Sequence, residues 1–276
     1  MTHKNSLTSL ITKSAFLGGF LVTVPLLGSV VVFDTRPHGS WEETPPTSLA
    51  PTQVPNGIQV SNITRGPGLS PNNLNYGFSS NGWNNPTGEG GANVEATLES
   101  AIAQGNYYEL SFTVDPGYTL SLLTLDYRHR RSTTATSGTR LGSYEWQYSF
   151  DGFATDGTAF FIGAFAPDEG PGDGVTHPTI ALSEVAAFQE LPEGTELTMR
   201  LFAFGATPTA TNTFAFGRAL SNLSGFQGEI LDPNLPTGGP VFGVSVIPEP
   251  STYAFMVGGL VLAFAIRRRL RCKASL

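Results

Sequence analysis

The stretch SYEWQYSF, residues Ser143–Phe150, alternates polar and aromatic side chains through eight positions. Successive side chains of a strand point to opposite faces, so Tyr144, Trp146, Tyr148 and Phe150 share one face and Glu145, Gln147 and Ser149 the other. Asp151-Gly152 then stops the run with turn chemistry. The same signature recurs on either side. Thr195–Phe204 sets Leu197, Met199 and Leu201 against Glu196, Thr198 and Arg200. Tyr107–Val114 and Thr119–Arg128 flank Asp115-Pro116-Gly117, a turn. Val30–Phe33, Gly57–Ile63, Thr158–Ile162, Thr213–Ala219 and Gly225–Ile230 bring the expected total to nine strands. Several one-faced strands separated by turns predict an all-β chain, a jelly-roll-like β-sandwich. One short helix is expected over Asn93–Ala103, capped by Asn93 and stopped by Gly105, and Gly66 to Gly91 reads as a long irregular loop around Trp83. The similar runs Phe202–Gly205 and Phe214–Gly217 are expected to lie on neighbouring strands.

Charge is unevenly distributed. Between Asp34 and Glu249 there are 22 Asp and Glu against 8 Arg and no Lys, a net of 8 − 22 = −14. Such a body does not bind nucleic acid by phosphate neutralisation, which needs clustered cations. It favours cationic ligands or divalent ions. The single cysteine, Cys272, lies near the C-terminus, so the body has neither disulfide nor thiol chemistry. Its stability must come from an ordinary core.

The two ends read differently from the body. Lys4 and Lys13 precede an uncharged stretch from Ser14 to Phe33, the order of an export signal. Cleavage near Ser29 would leave Val30–Phe33 as the first strand; an uncleaved anchor is the alternative. At the other end Pro248-Glu249-Pro250 precedes 17 uncharged residues, Pro250 to Ile266, at the lower limit of a bilayer-spanning helix. Arg267, Arg268, Arg269 and Arg271 follow, a cluster that resists translocation and acts as a stop-transfer signal. The paired prolines fix φ and remove backbone donors, which keeps the tripeptide extended and accessible. The expected organisation is a signal peptide over 1–29, a β-sandwich domain over 30–232, a linker over 233–247 and a C-terminal signal over 248–276.

The order of tripeptide, apolar segment with Gly258-Gly259 and arginine cluster resembles the PEP-CTERM sorting signal of bacterial exported proteins. The resemblance implies an exosortase, a membrane-embedded cysteine protease or transpeptidase, as partner. It also implies export, transient anchoring in the inner membrane, removal of the tail, and an exopolysaccharide-producing host. Arg130-Arg131-Ser132, Tyr148–Phe153, Leu201–Ala206 and Gly225–Gly228 are similar to the exported β-sandwich domains that accompany this signal, and imply a fold without an activity.

No motif selects a catalytic residue. Gly-x-Ser-x-Gly and His-Glu-x-x-His are absent, and no spacing singles out a carboxylate pair for glycoside hydrolysis. Asp168, Glu169 and Asp173 lie in an acidic, glycine-rich loop that offers oxygen ligands for Ca²⁺, although a solvated turn needs the same residues. No other cofactor is indicated. Trp41 and Trp83, both outside the strands, are candidates for a glycan platform, or for plugs at the end of the domain. Arg128-His129-Arg130-Arg131 either grips an acidic polysaccharide or ends an edge strand with charge. The expected function is that of a non-catalytic protein of the cell surface or exopolysaccharide matrix. A carbohydrate-binding module is the alternative, and a hydrolase without a recognisable motif the third reading.

Overall fold

The computed structural model describes residues 28–35, 44–74, 77–83, 95–131, 141–165, 174–207, 212–217, 239–249 and 258. Among them the chain forms β1 (Ser29–Val32), β2 (Ile58–Val60), β3 (Thr64–Arg65), β4 (Ser70–Asn72), β5 (Gly77–Asn81), α1 (Leu98–Gln104), β6 (Tyr107–Val114) and β7 (Tyr118–Asp126). Then follow β8 (Arg128–Arg131), β9 (Ser143–Ser149), β10 (Thr158–Ala164), β11 (Val175–Thr176), β12 (Ile180–Ala181), β13 (Glu196–Phe204), β14 (Thr213–Gly217) and β15 (Val241–Pro248).

The strands form three antiparallel sheets. One has the order β1-β15-β7-β12, a second β10-β9-β13-β6-β2 with β3 also on β6, and a third β11-β8-β14-β5-β4. The all-β expectation holds, but with three sheets. The path from β7 to β8 breaks only at Tyr127, and the two segments pair with different partners, β15 on one side and β14 on the other. The six-stranded sheet faces both smaller sheets through aromatic contacts. Phe112 meets Phe242 at 5.1 Å between ring centroids, Tyr108 meets Phe216 at 5.3 Å and Trp146 meets Phe216 at 6.1 Å. Residues of all three sheets belong to one buried cluster.

Local chemistry explains the best-formed elements. In β6 every second side chain is buried, from Tyr108 through Leu110 and Phe112 to Val114. Gly117 then takes φ +78°, the left-handed backbone a Pro-Gly turn requires, and the Tyr118 N–H donates to the Asp115 carbonyl at 3.3 Å. β13 buries Leu197, Met199 and Leu201 as expected. In β9 the polar face is covered too. Glu145, Gln147 and Ser149 are buried, and the Phe153 ring lies close to the Gln147 amide above Gly157. α1 starts later than expected, at Leu98, because its N-cap Thr97 forms a reciprocal capping box with Ser100; Gly105 stops it at φ +72°.

Four expectations are corrected. The supposed loop from Gly66 to Gly91 contains β4 and β5, fixed by β5 pairing with β14. Phe202–Gly205 and Phe214–Gly217 lie in different sheets. The Arg128–Arg131 cluster is not an edge, since β8 is flanked by β11 and β14. It is partly core: His129 and Arg131 are buried, and Arg131 donates to the Leu141 carbonyl beside the Phe165 ring. Finally, residues 241–247 of the expected linker are strand β15. Gly225–Ile230 and nearly all of the expected signal peptide lie outside the described residues. Ser29, expected as its last residue, opens β1.

Candidate sorting and processing site

The sequence VFGVSVIP of β15 is rich in β-branched and aromatic residues, which favour a pleated, half-buried strand. β15 is an interior strand. It pairs with β1 from Ser29↔Val244 to Val32↔Val241, and with β7 from Val241↔Asp126 to Pro248↔Tyr118. Phe242 and Val244 are fully buried, and Phe242 packs edge-on against Phe33 at 6.4 Å and Phe112 at 5.1 Å. Gly243 lies so close to Thr124 that a Cβ would meet Oγ1 at 2.5 Å, and the register shifts between Gly243 and Val244.

Pro248, the first residue of the tripeptide, is therefore the last residue of a paired strand, a place where its missing N–H costs nothing. Glu249 continues the attachment, donating its N–H to the Gly117 carbonyl at 2.9 Å. The Gly117 N–H in turn donates to Glu193 Oε2 at 2.6 Å, a short charge-assisted bond. The turn is held from its other side as well. The Asp115 N–H donates to the Gly57 carbonyl at 3.0 Å, and the Tyr118 ring covers Gly57, where a Cβ would sit 2.4 Å from Cδ1. Gly57 also has φ +92°, a conformation that glycine adopts without strain. The tripeptide is thus not a free extended spacer at its start: it is seated on the β6–β7 turn.

The remaining candidates are distributed as follows. Pro250 and Arg267, Arg268, Arg269 and Arg271 lie outside the described residues; between 250 and 276 only Gly258 is described, and it is helical. Among the described residues no helix is long and apolar enough to cross a membrane. Asp168, Glu169, Asp173 and Trp41 also lie outside them. Among the described residues no group of three or more His, Cys, Asp or Glu is placed to hold a metal ion. Trp83 is described and fully buried. Its Nε1 donates to the Ser80 carbonyl at 3.0 Å, and its ring meets Tyr108 at 5.1 Å and Phe214 at 5.5 Å, so it offers no face to a sugar. It is a core residue.

Two polar clusters escaped the sequence reading. In the core, His177 Nε2 lies 2.6 Å from the Tyr144 hydroxyl, and the His177 ring stacks on Tyr127 at 4.8 Å. Burial pushes the Tyr108 phenol up, while its hydroxyl reaches the carbonyls of Phe214 at 2.9 Å and Phe78 at 3.2 Å. On the outer side of the six-stranded sheet, Arg200 is clamped between the Tyr107 and Phe153 rings, 4.0 Å from each centroid, and donates to Glu109 Oε2 at 2.7 Å. Phe153 reaches this place from a left-handed backbone, φ +63°, rare for so large a residue. Pairs of strands bring these residues together, and spacing in the chain gives no sign of them.

Comparison with known proteins bears on the C-terminus. No curated protein and no solved structure matches the chain. The family model of the PEP-CTERM protein-sorting motif matches residues 246–269, so that its first residues, Val246 to Pro248, are also the last of β15. The chain carries a PEP-CTERM protein-sorting motif in its C-terminal region, consistent with an exosortase substrate.

Proposed function

We propose that the chain is a non-catalytic protein of the cell surface or exopolysaccharide matrix, held briefly in the inner membrane by its C-terminal segment and released or transferred by an exosortase. The observation that carries this reading is the sorting motif at residues 246–269, joined without a spacer to a β-rich body. The six-stranded sheet facing the two smaller ones supports a jelly-roll-like sandwich as the form of that body. The test is fractionation of the native host. The wild-type protein is recovered from the envelope or medium, whereas a variant with Pro248, Glu249 and Pro250 replaced by alanine stays in the inner membrane. Equal distribution of the two refutes the reading.

A second reading, a carbohydrate-binding module, is favoured by the Arg200–Glu109 pair with its flanking Tyr107 and Phe153 rings. The side chains of Arg200 and Glu109 are 18% and 31% exposed. A rigid pair of opposite charges, held in place by two rings, suits the hydroxyls of a sugar. Loss of retardation in a gel containing the host polysaccharide on Arg200→Ala, with the fold intact, supports this reading; no retardation of the wild type refutes it.

A further inference from the structure

We propose that the β6–β7 turn, residues Asp115–Tyr118, together with Glu193 is the seat that positions the sorting motif for processing, and that the bond cut lies C-terminal to Glu249. The proposal rests on the sorting reading above and adds positioning residues to it.

Three observations carry it. Pro248 and Pro250 have no backbone N–H, so Glu249 supplies the only backbone donor of the tripeptide, and that donor is engaged by the Gly117 carbonyl at 2.9 Å. The peptide units on both sides of Gly117 are engaged, the N–H by Glu193 Oε2 at 2.6 Å and the carbonyl by Glu249. Glu193 is exposed and contributes nothing to the core, which leaves orientation of this turn as what its carboxylate does. The third observation is the place of β15 inside its sheet, between β1 and β7. A cut before Pro248 would remove its pairing with Tyr118 on β7 and the Glu249 hydrogen bond to Gly117. A cut beyond Glu249 leaves every described contact of the body in place. It breaks one peptide bond; the acyl group passes to water or to an acceptor amine, and the tail leaves as a free amine that takes up the proton. The folded body thereby acts as a gauge, fixing Glu249 against the turn just before the bond to be cut.

The experiment compares the full-length chain in its native host with Glu193→Ala, Glu193→Gln and a variant in which Pro248 and Pro250 are both alanine. Processing is followed by pulse-chase, and amide exchange at Gly117 and Glu249 is measured on the purified full chain in detergent. Glu193→Ala is expected to process about fivefold more slowly, and its Gly117 amide, which loses its acceptor, to exchange about fivefold faster, as loss of one hydrogen bond implies. Its thermal midpoint falls by no more than about 4 °C, the cost of a single exposed hydrogen bond. Glu193→Gln keeps an acceptor oxygen and behaves as wild type. The proposal is overturned if Glu193→Ala is processed at the wild-type rate, if the wild-type Glu249 amide is unprotected, or if the mature chain ends before Pro248. Normal processing of the double proline variant would instead sink the sorting reading itself, so the two failures are distinguishable.

Discussion

Replacing Phe242 with alanine is the sharpest perturbation of the claim that the body and the sorting motif are one continuous structure. Phe242 is fully buried on the interior strand β15 and touches Phe33 and Phe112, so it joins the first strand, the last strand and the opposite sheet. Truncating a buried phenylalanine costs about 3–5 kcal/mol, of which part is transfer and part the cavity left behind. The aromatic contacts are included in that figure. For a body of this size each 1 kcal/mol lowers the thermal midpoint by about 2–4 °C, which gives a fall of about 6–20 °C. Ile247→Ala, on the same strand but 44% exposed, is the control and should cost less than about 1 kcal/mol. The assay is thermal unfolding followed by tryptophan fluorescence, since Trp83 and Trp146 are both buried. Equal, small shifts for the two variants would mean that β15 is a peripheral tail, and the reasoning above would fail.

Three further outcomes are expected. Tyr144→Phe removes the hydroxyl beside His177 Nε2 and leaves a buried polar group short of a partner, so unfolding in urea should show a loss of about 1–3 kcal/mol with an unchanged slope. Thr97→Ala breaks the capping box of α1 and should cost about 1 kcal/mol, with increased amide exchange confined to the first turn of that helix. The Asp151 carboxylate accepts hydrogen bonds from Ser149 and Thr155, which hold it below the usual carboxylate range. A folded-state value below the unfolded one adds stability above the unfolded value, and that contribution disappears as pH falls through the folded value. Wild-type melting should therefore drop more steeply on acidification below about pH 4 than that of Asp151→Asn, in which the group cannot titrate.

What could be read from the sequence was what is local. β6 and β9 carry alternation throughout and β13 as far as Leu201, and Asp115-Pro116-Gly117 carries its turn in its own residues. The C-terminal signal was legible because its three parts occur in order within thirty residues of the end. What was missed depends on partners distant in the chain. β5, Gly-Phe-Ser-Ser-Asn, has one large apolar residue and is a strand because β14 pairs with it. Its buried polar residues are part of a lattice in which Arg65 donates to the Ser79 carbonyl and the Ser80 hydroxyl at 2.7 and 2.6 Å. Burial lowers the pKa of that guanidinium. Trp83 sits in a polar stretch and is drawn into the core by the same pairing. β15 had a visible pattern, Val241, Phe242, Val244 and Val246, but Pro and Gly before it and the tripeptide after it made the segment look like a spacer. The motif's seat could not be foreseen at all, because Gly117, Glu193 and Glu249 meet only in the folded chain.

The most direct measurement is intact mass with C-terminal peptide mapping of the protein recovered from its native host. The account predicts a mature chain that retains Glu249 and lacks the segment after the motif, Cys272 and Leu276 included. Recovery of the full tail, still in the inner membrane and ending at Leu276, would contradict processing and leave an ordinary membrane-anchored domain.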